Sequence, residues 1–301
     1  MIRVGTRKSP LALAQTEEVL SQLRSRFPDE TFTVVTMETA GDRNRDAPLL
    51  SLERGTFSTD IERLLLDGKI DLAVHSAKDL TATLPEGLAL AGTVARQDAR
   101  DALVNRWGES QLRLPPKARI GTSSPRRAAQ LSEIRPDVQV LPIRGNVGTR
   151  LDKAAGGEYD GVVLAVAGLV RLGRQAEIAE YLAPEGFTPE VGQGTLGVEV
   201  RIGDTRTARM LDAINHLPSS IALKAERSFL QRLGGGCKVP VAAYARLDGR
   251  EIRILAMAAL PDGSQIYRAD VRCDAVDPIS AGIEAAEALL AKGAREIVLA
   301  E

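Results

Sequence analysis

The chain repeats one junction, in which an apolar strand ends in a turn of small and basic residues and a helix follows. In the first copy the apolar run at residues 2–6 is followed by Arg7 and a Ser-Pro pair, and an amphipathic segment begins at residue 11. Serine before a helix and proline in its first turn favour helix initiation. In the second copy residues 119–124 lead into a helix that begins near Pro125. Strands that alternate with helices predict an α/β fold.

Three further strands end in the same kind of polar and basic sequence: residues 70–74, 138–143 and 159–165. Open α/β sheets bind ligands at the carboxyl ends of their strands. Guanidinium groups bind carboxylates through two parallel hydrogen bonds. The pattern therefore indicates a site for a small molecule that carries carboxylates. At any single junction the alternative is a capped helix beside solvated basic side chains.

Two helix starts carry this interpretation further. Arg126 and Arg127 fall in the first turn of the helix that begins near Pro125. Positive side chains at that end oppose the helix dipole, so the motif favours a bound anion. Near Arg7 the free backbone N–H groups of a helix start offer another anion site. The alternative there is that Ser9 only caps the helix and Arg7 is solvated.

Lys78 and Asp79 stand side by side after the strand at residues 70–74. They form either a solvated ion pair, which contributes little to stability, or part of a cleft. In a cleft the carboxylate of Asp79 would stabilise a developing cation or move a proton. A serine nucleophile activated by lysine, formed by Ser76 and Lys78, is a further alternative. It is disfavoured because no G-x-S-x-G sequence surrounds the serine.

Three consecutive glycines at residues 234–236 precede Cys237, and Lys238 follows it. Glycines leave space and permit unusual backbone angles. A neighbouring ammonium favours the thiolate, which is the nucleophilic form of cysteine. The tract is either an attachment point for a large group or a tight turn that ends in an inert cysteine. Cys273 lies in a strand-like segment and is predicted to be buried.

Composition argues against several classes of protein. The net charge is −1 and aromatic residues make up 3% of the chain, which is poor material for binding nucleic acid. Two cysteines and two histidines disfavour a disulfide framework and a metal site. No apolar run approaches the ~20 residues of a membrane span. The N-terminus lacks the apolar core of a signal peptide, so we expect a cytoplasmic protein.

The 301 residues suit two or three domains. The predicted division is residues 1–95 with a returning segment 195–217, residues 96–194, and residues 218–301. Residues 38–56 lack periodicity and predict a loop that acts as a lid, with Phe57 at its end. Pro218 is predicted to break the chain before a helix that starts at residue 220. After Cys237, three strand-like segments with Asp-Gly turns and a final helix predict a small antiparallel α+β domain.

Seven tracts, in this order along the chain, resemble the hydroxymethylbilane synthase (porphobilinogen deaminase) family. They are residues 6–12, 75–79, 121–127, 144–151, 165–172, 191–197 and 234–237. Each tract alone is weak evidence, but all of them in this order are specific. The resemblance implies two α/β domains similar to type II periplasmic binding proteins. A C-terminal α+β domain with a three-stranded antiparallel sheet would carry the cysteine.

The resemblance also implies a transferase of tetrapyrrole (porphyrin and heme) biosynthesis. Such an enzyme condenses four porphobilinogen molecules, with release of ammonia, on a dipyrromethane cofactor that a thioether joins to Cys237. It then releases linear hydroxymethylbilane by hydrolysis. A downstream enzyme that cyclises the tetrapyrrole would receive this product. Asp79 matches the catalytic aspartate, which would stabilise the cation formed when the amine departs. We expect a monomer, because no coiled-coil pattern is present.

Every pyrrole ring of the growing chain carries an acetate and a propionate, which explains a cleft rich in cations. The residues that match the family's cofactor- and substrate-binding positions are Arg7, Ser9, Phe57, Ser76, Lys78, Thr122, Ser123, Ser124, Arg126, Arg127, Arg144, Gly145, Asn146, Arg150, Arg171 and Gln193. Gln193 matches a glutamine beside the hinge. No metal ligand is implied.

The sequence departs from the family around Phe57. The family commonly has Gly-Gly-Lys-Gly before this phenylalanine and Lys-Glu-Leu-Glu after it, whereas here Arg54 replaces the first lysine and the second is missing. The difference bears on lid contacts and not on the reaction. A non-catalytic module that binds small anions on the same scaffold is the alternative function. Such a module would not require Asp79 or the glycine–cysteine tract.

Overall fold

The computed structural model describes residues 1–38, 58–234 and 239–298. The strands in these ranges are β1 (Ile2–Arg7), β2 (Phe32–Met37), β3 (Leu72–Ser76), β4 (Leu88–Thr93), β5 (Asp101–Asn105), β6 (Arg119–Gly121), β7 (Gln139–Leu141), β8 (Gly161–Ala165), β9 (Glu180–Leu182), β10 (Leu196–Arg201), β11 (Val241–Asp248), β12 (Glu251–Ala259) and β13 (Ile266–Asp274). The α-helices are α1 (Pro10–Arg26), α2 (Thr59–Leu66), α3 (Pro125–Ile134), α4 (Val147–Ala155), α5 (Val166–Arg171), α6 (Thr205–Asp212), α7 (Leu217–Arg232), α8 (Pro278–Leu289) and α9 (Arg295–Val298).

The first sheet has the strand order β2-β1-β3-β10-β4. β1 runs parallel to β2 and β3, whereas β10 runs antiparallel to β3 and β4. α1 packs on one face because Val19, Leu20 and Leu23 recur at helical spacing and meet the apolar side chains of the strands. α2 covers the opposite face through Ile61 and Leu65. With both faces covered, the carboxyl edge of the sheet is where polar groups gather.

The second sheet has the order β7-β6-β8-β5-β9 and follows the same plan. β6 runs parallel to β7 and β8, and β5 runs antiparallel to β8 and β9. β10 comes after this sheet in sequence and lies in the first sheet. The chain therefore crosses twice between the two sheets. The prediction of an α/β fold is confirmed.

The third sheet consists of β11, β12 and β13 in antiparallel order. Helices α7 and α8 cover one face, where Phe229 and Leu289 are fully buried. On the other face Ala242 and Met257 pack against Ala129 of α3. The predicted C-terminal α+β domain is confirmed, and its sheet packs against α3, which belongs to the second sheet's domain.

Two local predictions were wrong. α7 begins at Leu217 and contains Pro218 in its first turn, because proline lacks an N–H that would have no helical partner there. Cys273 is only half-buried, because β13 is an edge strand. Its Sγ donates to Glu284 at 3.4 Å, and burial together with that carboxylate raises the pKa of the thiol to about 11. Among the described helices, none has the length and apolar character needed to cross a membrane.

Candidate active site

A cleft lies between the first and second sheets. The carboxyl ends of β1 and β3 enter it from one side, and the end of β8 with the start of α5 enters from the other. β1 and β3 are parallel neighbours, so their ends meet at one edge of the sheet. The predicted site residues that line the cleft are Arg7, Ser9, Ser76, Lys78, Asp79, Arg127, Arg150 and Arg171.

Asp79 ends the 3₁₀ turn, Ala77–Asp79, that directly follows β3. Its Oδ2 lies 3.9 Å from Nη1 of Arg7, and 34% of the Asp79 side chain is exposed. A long, partly exposed ion pair of this kind contributes little to stability. Among the described residues no group donates a hydrogen bond to this carboxylate. Its oxygens are therefore positioned to accept hydrogen bonds from a ligand.

Lys78 lies in a strongly cationic part of the cleft. Burial lowers the pKa of Lys78, and the charge of Arg127 lowers it further. Gly192 packs tightly against this turn: its φ is +73°, and a Cβ there would lie 3.0 Å from the backbone nitrogen of Lys78. Only glycine fits at such a position. The turn that carries Lys78 and Asp79 is thus held by the segment that joins the two sheets.

Arg127, Arg144 and Arg150 crowd together on the second-sheet side. Burial lowers the pKa of Arg150 to about 10, and the charges of Arg127 and Arg144 add to the shift. Nη2 of Arg144, like Nε and Nη2 of Arg126, is buried with no hydrogen-bond partner in the part of the chain that the structure describes. Buried donors without partners are costly, as are crowded like charges. This arrangement suits a ligand that bears several carboxylates.

The carboxylate that faces the start of α3 belongs to Asp101, the first residue of β5. Its two oxygens lie 2.7 Å from Nη1 of Arg126 and 2.7 Å from Nη2 of Arg127. Burial raises the pKa of Asp101, but the two guanidinium charges outweigh burial and hold it well below its usual range. Asp101 therefore supplies a counter-charge from within the chain, and a direct role of Arg126 and Arg127 in binding an external anion stays a prediction. Arg126 does not line the cleft, whereas Arg127 contacts both Asp101 and the cleft.

The predicted cradle residues shape two turns beside the cleft and do not line it: Thr122, Ser123, Ser124, Gly145 and Asn146. The Ser123 hydroxyl donates to the carbonyl of Ile143 at 2.7 Å and accepts from its N–H at 2.9 Å. The side chains of Ser124 and Asn146 cap α3 and α4. These contacts join the two turns to each other, and direct contact with a ligand stays a prediction.

Two predicted residues join the two sheets across the cleft. Arg171 donates through Nε to Oε2 of Glu18 at 2.8 Å and through Nη2 to the carbonyl of Gly194 at 3.1 Å. Nε2 of Gln193 donates to Asp101 at 2.9 Å and to the carbonyl of Ala99 at 2.8 Å. Both side chains therefore hold the crossing segment in place. Phe57, Cys237 and residues 39–56 of the predicted lid lie outside the described residues.

The sequence reasoning missed several buried charged residues. Besides Asp101, Glu226 of α7 is fully buried and accepts from Nη1 of Arg96 at 2.6 Å. It also accepts from the backbone nitrogens of Gly192 at 2.6 Å and Ala245 at 2.8 Å, which ties the third sheet to the crossing segment. A glutamate at a core position of an amphipathic helix indicates a buried ion pair from the sequence alone. A single aspartate at the start of a strand gives no such indication. Within the described ranges no group of three or more potential ligands is placed to hold a metal ion.

The two α/β sheets and the cleft between them, lined by cationic side chains and one carboxylate, define the class of two-domain α/β proteins with a cationic cleft. The family model for the porphobilinogen deaminase dipyromethane cofactor binding domain matches residues 2–209, and the model for the family's C-terminal domain matches residues 220–291. The chain belongs to the porphobilinogen deaminase family.

One relative is the porphobilinogen deaminase of Alkaliphilus metalliredigens (strain QYMF). It is 44% identical over 298 residues, which cover 99% of this chain and 94% of that protein. Among solved structures, the chain has partial structural similarity to the VFT2 domain of BvgS from Bordetella pertussis. The two are 15% identical, the match covers 75% of this chain and 91% of that one, and the TM-score is 0.44. Another such structure is the probable amino-acid ABC transporter extracellular-binding protein ytmK from Bacillus subtilis, with 12% identity, coverage of 70% and 88%, and a TM-score of 0.42.

Proposed function

We propose that the chain is a hydroxymethylbilane synthase, a transferase of tetrapyrrole biosynthesis. It condenses four porphobilinogen molecules, with loss of ammonia at each step, on a dipyrromethane primer that a thioether joins to Cys237, and then releases hydroxymethylbilane by hydrolysis. The observation that carries the proposal is Asp79, the one carboxylate among the charged groups that line the described part of the cleft. The others are cationic: Arg7, Lys78, Arg127, Arg150 and Arg171.

The residues present fit the dipyrromethane cofactor. Its two pyrroles carry four carboxylates, and the buried Nη2 of Arg144, which lacks a partner among the described residues, is a donor for such a group. Arg127 and Arg150 add positive charge on the same side of the cleft. When bound, the cofactor supplies the nucleophilic pyrrole carbon from which the chain grows. Arg127, Arg144 and Arg150 would hold its carboxylates.

The chain's own residues supply binding and electrostatic stabilisation. Asp79 accepts hydrogen bonds from pyrrole N–H groups and stabilises the positive charge that develops on porphobilinogen as ammonia leaves. Arg7 and Lys78, which line the same cleft as that carboxylate, bind the substrate's acetate and propionate and so orient the ring. Arg171 and Gln193 hydrogen-bond to residues on both sides of the cleft and so fix the position of the segment that joins the two sheets.

Three further features belong to the same proposal. The chain divides into residues 1–95 with 195–217, residues 96–194, and residues 218–301, a division that the three sheets support. It acts as a monomer in the cytoplasm and hands its product to an enzyme that cyclises the linear tetrapyrrole. These last statements follow from the resemblance of the sequence to the family.

The alternative is a non-catalytic module that binds small anions on the same scaffold, and one experiment separates the two. Purified wild-type protein and Cys237→Ser are incubated with porphobilinogen, and intact mass and porphobilinogen consumption are measured. We expect a two-pyrrole mass increment and turnover in the wild type, and neither in Cys237→Ser. A wild-type protein without adduct and without turnover would establish the binding module instead.

We expect Arg150→Gln to weaken function and to strengthen the cofactor-free fold. Burial and like charge lower the pKa of Arg150, so its removal relieves repulsion from Arg127 and Arg144 when no anion is bound. In the Cys237→Ser background, Arg150→Gln should raise the urea midpoint, whereas in the cofactor-loaded protein it should lower the midpoint and raise KM. Lys153→Gln on the same helix, half-buried at the surface, is the matched control and should change neither. A lower midpoint in the cofactor-free protein would contradict the charge-crowding argument.

A further inference from the structure

Three titratable side chains that the mechanism above does not use are buried together behind the turn that carries Asp79. They are His75 on β3, Glu199 on β10 and Glu62 on α2. The side chains of His75 and Glu199 are 4% and 0% exposed, and Nε2 of His75 lies 2.9 Å from Oε2 of Glu199. Glu62 is 4% exposed. Ionisable groups so deeply buried are costly unless they are paired or neutral.

The register of the sheet explains why these groups meet. β3 and β10 run antiparallel, with His75 opposite Gly197 and Ala73 opposite Glu199. Side chains on one face recur at every second residue, so His75 and Glu199 are diagonal neighbours on the same face. Ala73, on that face too, belongs to the apolar cluster beneath α2. The face is therefore the one that α2 covers, and Glu62 is buried there.

The surroundings of Glu62 favour its neutral form. Burial raises its pKa, the Ser58 hydroxyl opposes the shift by donating a hydrogen bond, and the charge of Glu199 raises the pKa again. His75 acts on Glu62 in the opposite direction and lowers its pKa, but it is the smallest of the four influences, and the close contact of His75 is with Glu199. Oε1 of Glu62, both carboxylate oxygens of Glu199 and Nε2 of His75 have no hydrogen-bond partner among the described residues, so the 2.9 Å approach of His75 to Glu199 is a close polar contact without hydrogen-bond geometry. A proton on Glu62 leaves a single carboxylate for His75 to pair with.

The other charged groups on this face are engaged elsewhere. Arg201, two residues after Glu199 on β10, donates to the carbonyls of Leu65 at 2.8 Å and Ile70 at 2.6 Å. Its second nitrogen lies 3.5 Å from Asp71, which in turn pairs with Arg3 on β1. These groups sit at the far end of α2 and do not neutralise Glu62 or Glu199.

We propose that His75, Glu199 and Glu62 form a positioning cluster, in which the buried side chains of β3, β10 and α2 hold the end of β3 and so orient Asp79. The inference rests on the proposed function. His75 lines the cleft and lies four residues before Asp79 along β3 and its turn. The cluster joins β3 to β10 and to α2. A shift of the order of 1 Å in a catalytic group can reduce the rate about 100-fold.

The test compares variants that change one proton or one charge. Glu199→Gln and His75→Gln each break the pair and should lower kcat by about 10-fold or more, with KM within about 3-fold and the covalent adduct retained. The double variant should be no slower than the worse single variant, because both remove one interaction. Glu17→Gln is the matched control: this carboxylate is exposed on α1 and pairs only with Arg24 among the described residues, so kcat should stay within about 3-fold of the wild type.

Wild-type kcat in Glu199→Gln and His75→Gln, or additive losses in the double variant, would overturn the positioning role. An infrared spectrum gives an independent measurement on folded protein. A protonated-carboxyl band at neutral pH should be present in the wild type and absent in Glu62→Gln, and a spectrum without that difference would overturn the proton assignment. Failure of the wild type to consume porphobilinogen would refute the proposed function instead, while the infrared comparison would still report on the cluster.

Discussion

The variant Asp79→Asn should consume porphobilinogen roughly 10²- to 10⁴-fold more slowly than the wild type. The amide has the shape of the carboxylate but lacks its charge, so it cannot stabilise the cation that forms as ammonia leaves. The fold should not suffer, because the only described ion pair of Asp79 is the 3.9 Å contact with Arg7, and both side chains are partly exposed. Steady-state assays measure the rate of porphobilinogen consumption, intact mass reports the covalent adduct, and urea unfolding measures the stability of the fold.

The control for this prediction is Asp67→Asn. Asp67 also carries an exposed ion pair, 3.1 Å from Nζ of Lys69, but it lies outside the cleft. We expect Asp67→Asn to retain wild-type turnover. Equal rates for Asp79→Asn and Asp67→Asn would remove Asp79 from the mechanism. A slow Asp79→Asn that has also lost its fold would show that the 3.9 Å pair matters more to stability than its exposure indicates.

The second large effect is on stability: Asp101→Asn should lower the free energy of unfolding by about 3–5 kcal/mol. Asp101 is the carboxylate against which Arg126 and Arg127 are buried, with exposures of 0%, 3% and 6%. An amide leaves two guanidinium charges in the interior without a counter-charge. It also disturbs Gln193, which donates to the same oxygen as Arg127. Urea unfolding at neutral pH measures the loss.

The size of the effect should depend on burial and on pH. Asp98→Asn is the matched control, because Asp98 pairs with Arg100 at 2.6 Å while both remain partly exposed, and we expect a loss below about 1 kcal/mol. The folded-state pKa of Asp101 is lowered, so its contribution is complete above the unfolded pKa of about 4 and is lost as the pH falls below that value. The difference between wild type and Asp101→Asn should therefore shrink in acid. Equal losses in the two variants at neutral pH would refute the argument.

Local patterns in the sequence were enough to predict the α/β fold and the antiparallel C-terminal sheet. Ser9 and Ser124 cap helices at the positions where a serine followed by proline predicted helix starts. The Asp-Gly pairs at residues 248–249 and 262–263 mark the turns between β11, β12 and β13. These features depend on residues within a few positions of one another, so an unaligned sequence shows them. Pro218 was misjudged because the first turn of a helix tolerates proline.

The cleft was predicted in part. Strand ends rich in Arg7, Lys78 and Arg127 pointed to a site for carboxylates, and the structure places these residues in one cleft. The same reasoning could not show which cations already have a partner. Arg126 and Arg127 meet Asp101 from 25 and 26 residues away. No local sequence pattern predicts these contacts, because they depend on the pairing of β5 with β8 in the second sheet.

The sequence by itself determined where helices and strands begin, and through seven family tracts it identified the family and the candidate roles of Asp79 and Cys237. Those properties follow from local backbone preferences and from motif identity. Only the tertiary structure decided which charges are neutralised inside the protein. The burial of Asp101 between two arginines, of Glu226 beside Arg96, and of His75 against Glu199 arises from strand register and helix packing. Such pairs join residues far apart in sequence, and their energies depend on exclusion of water, which folding alone creates.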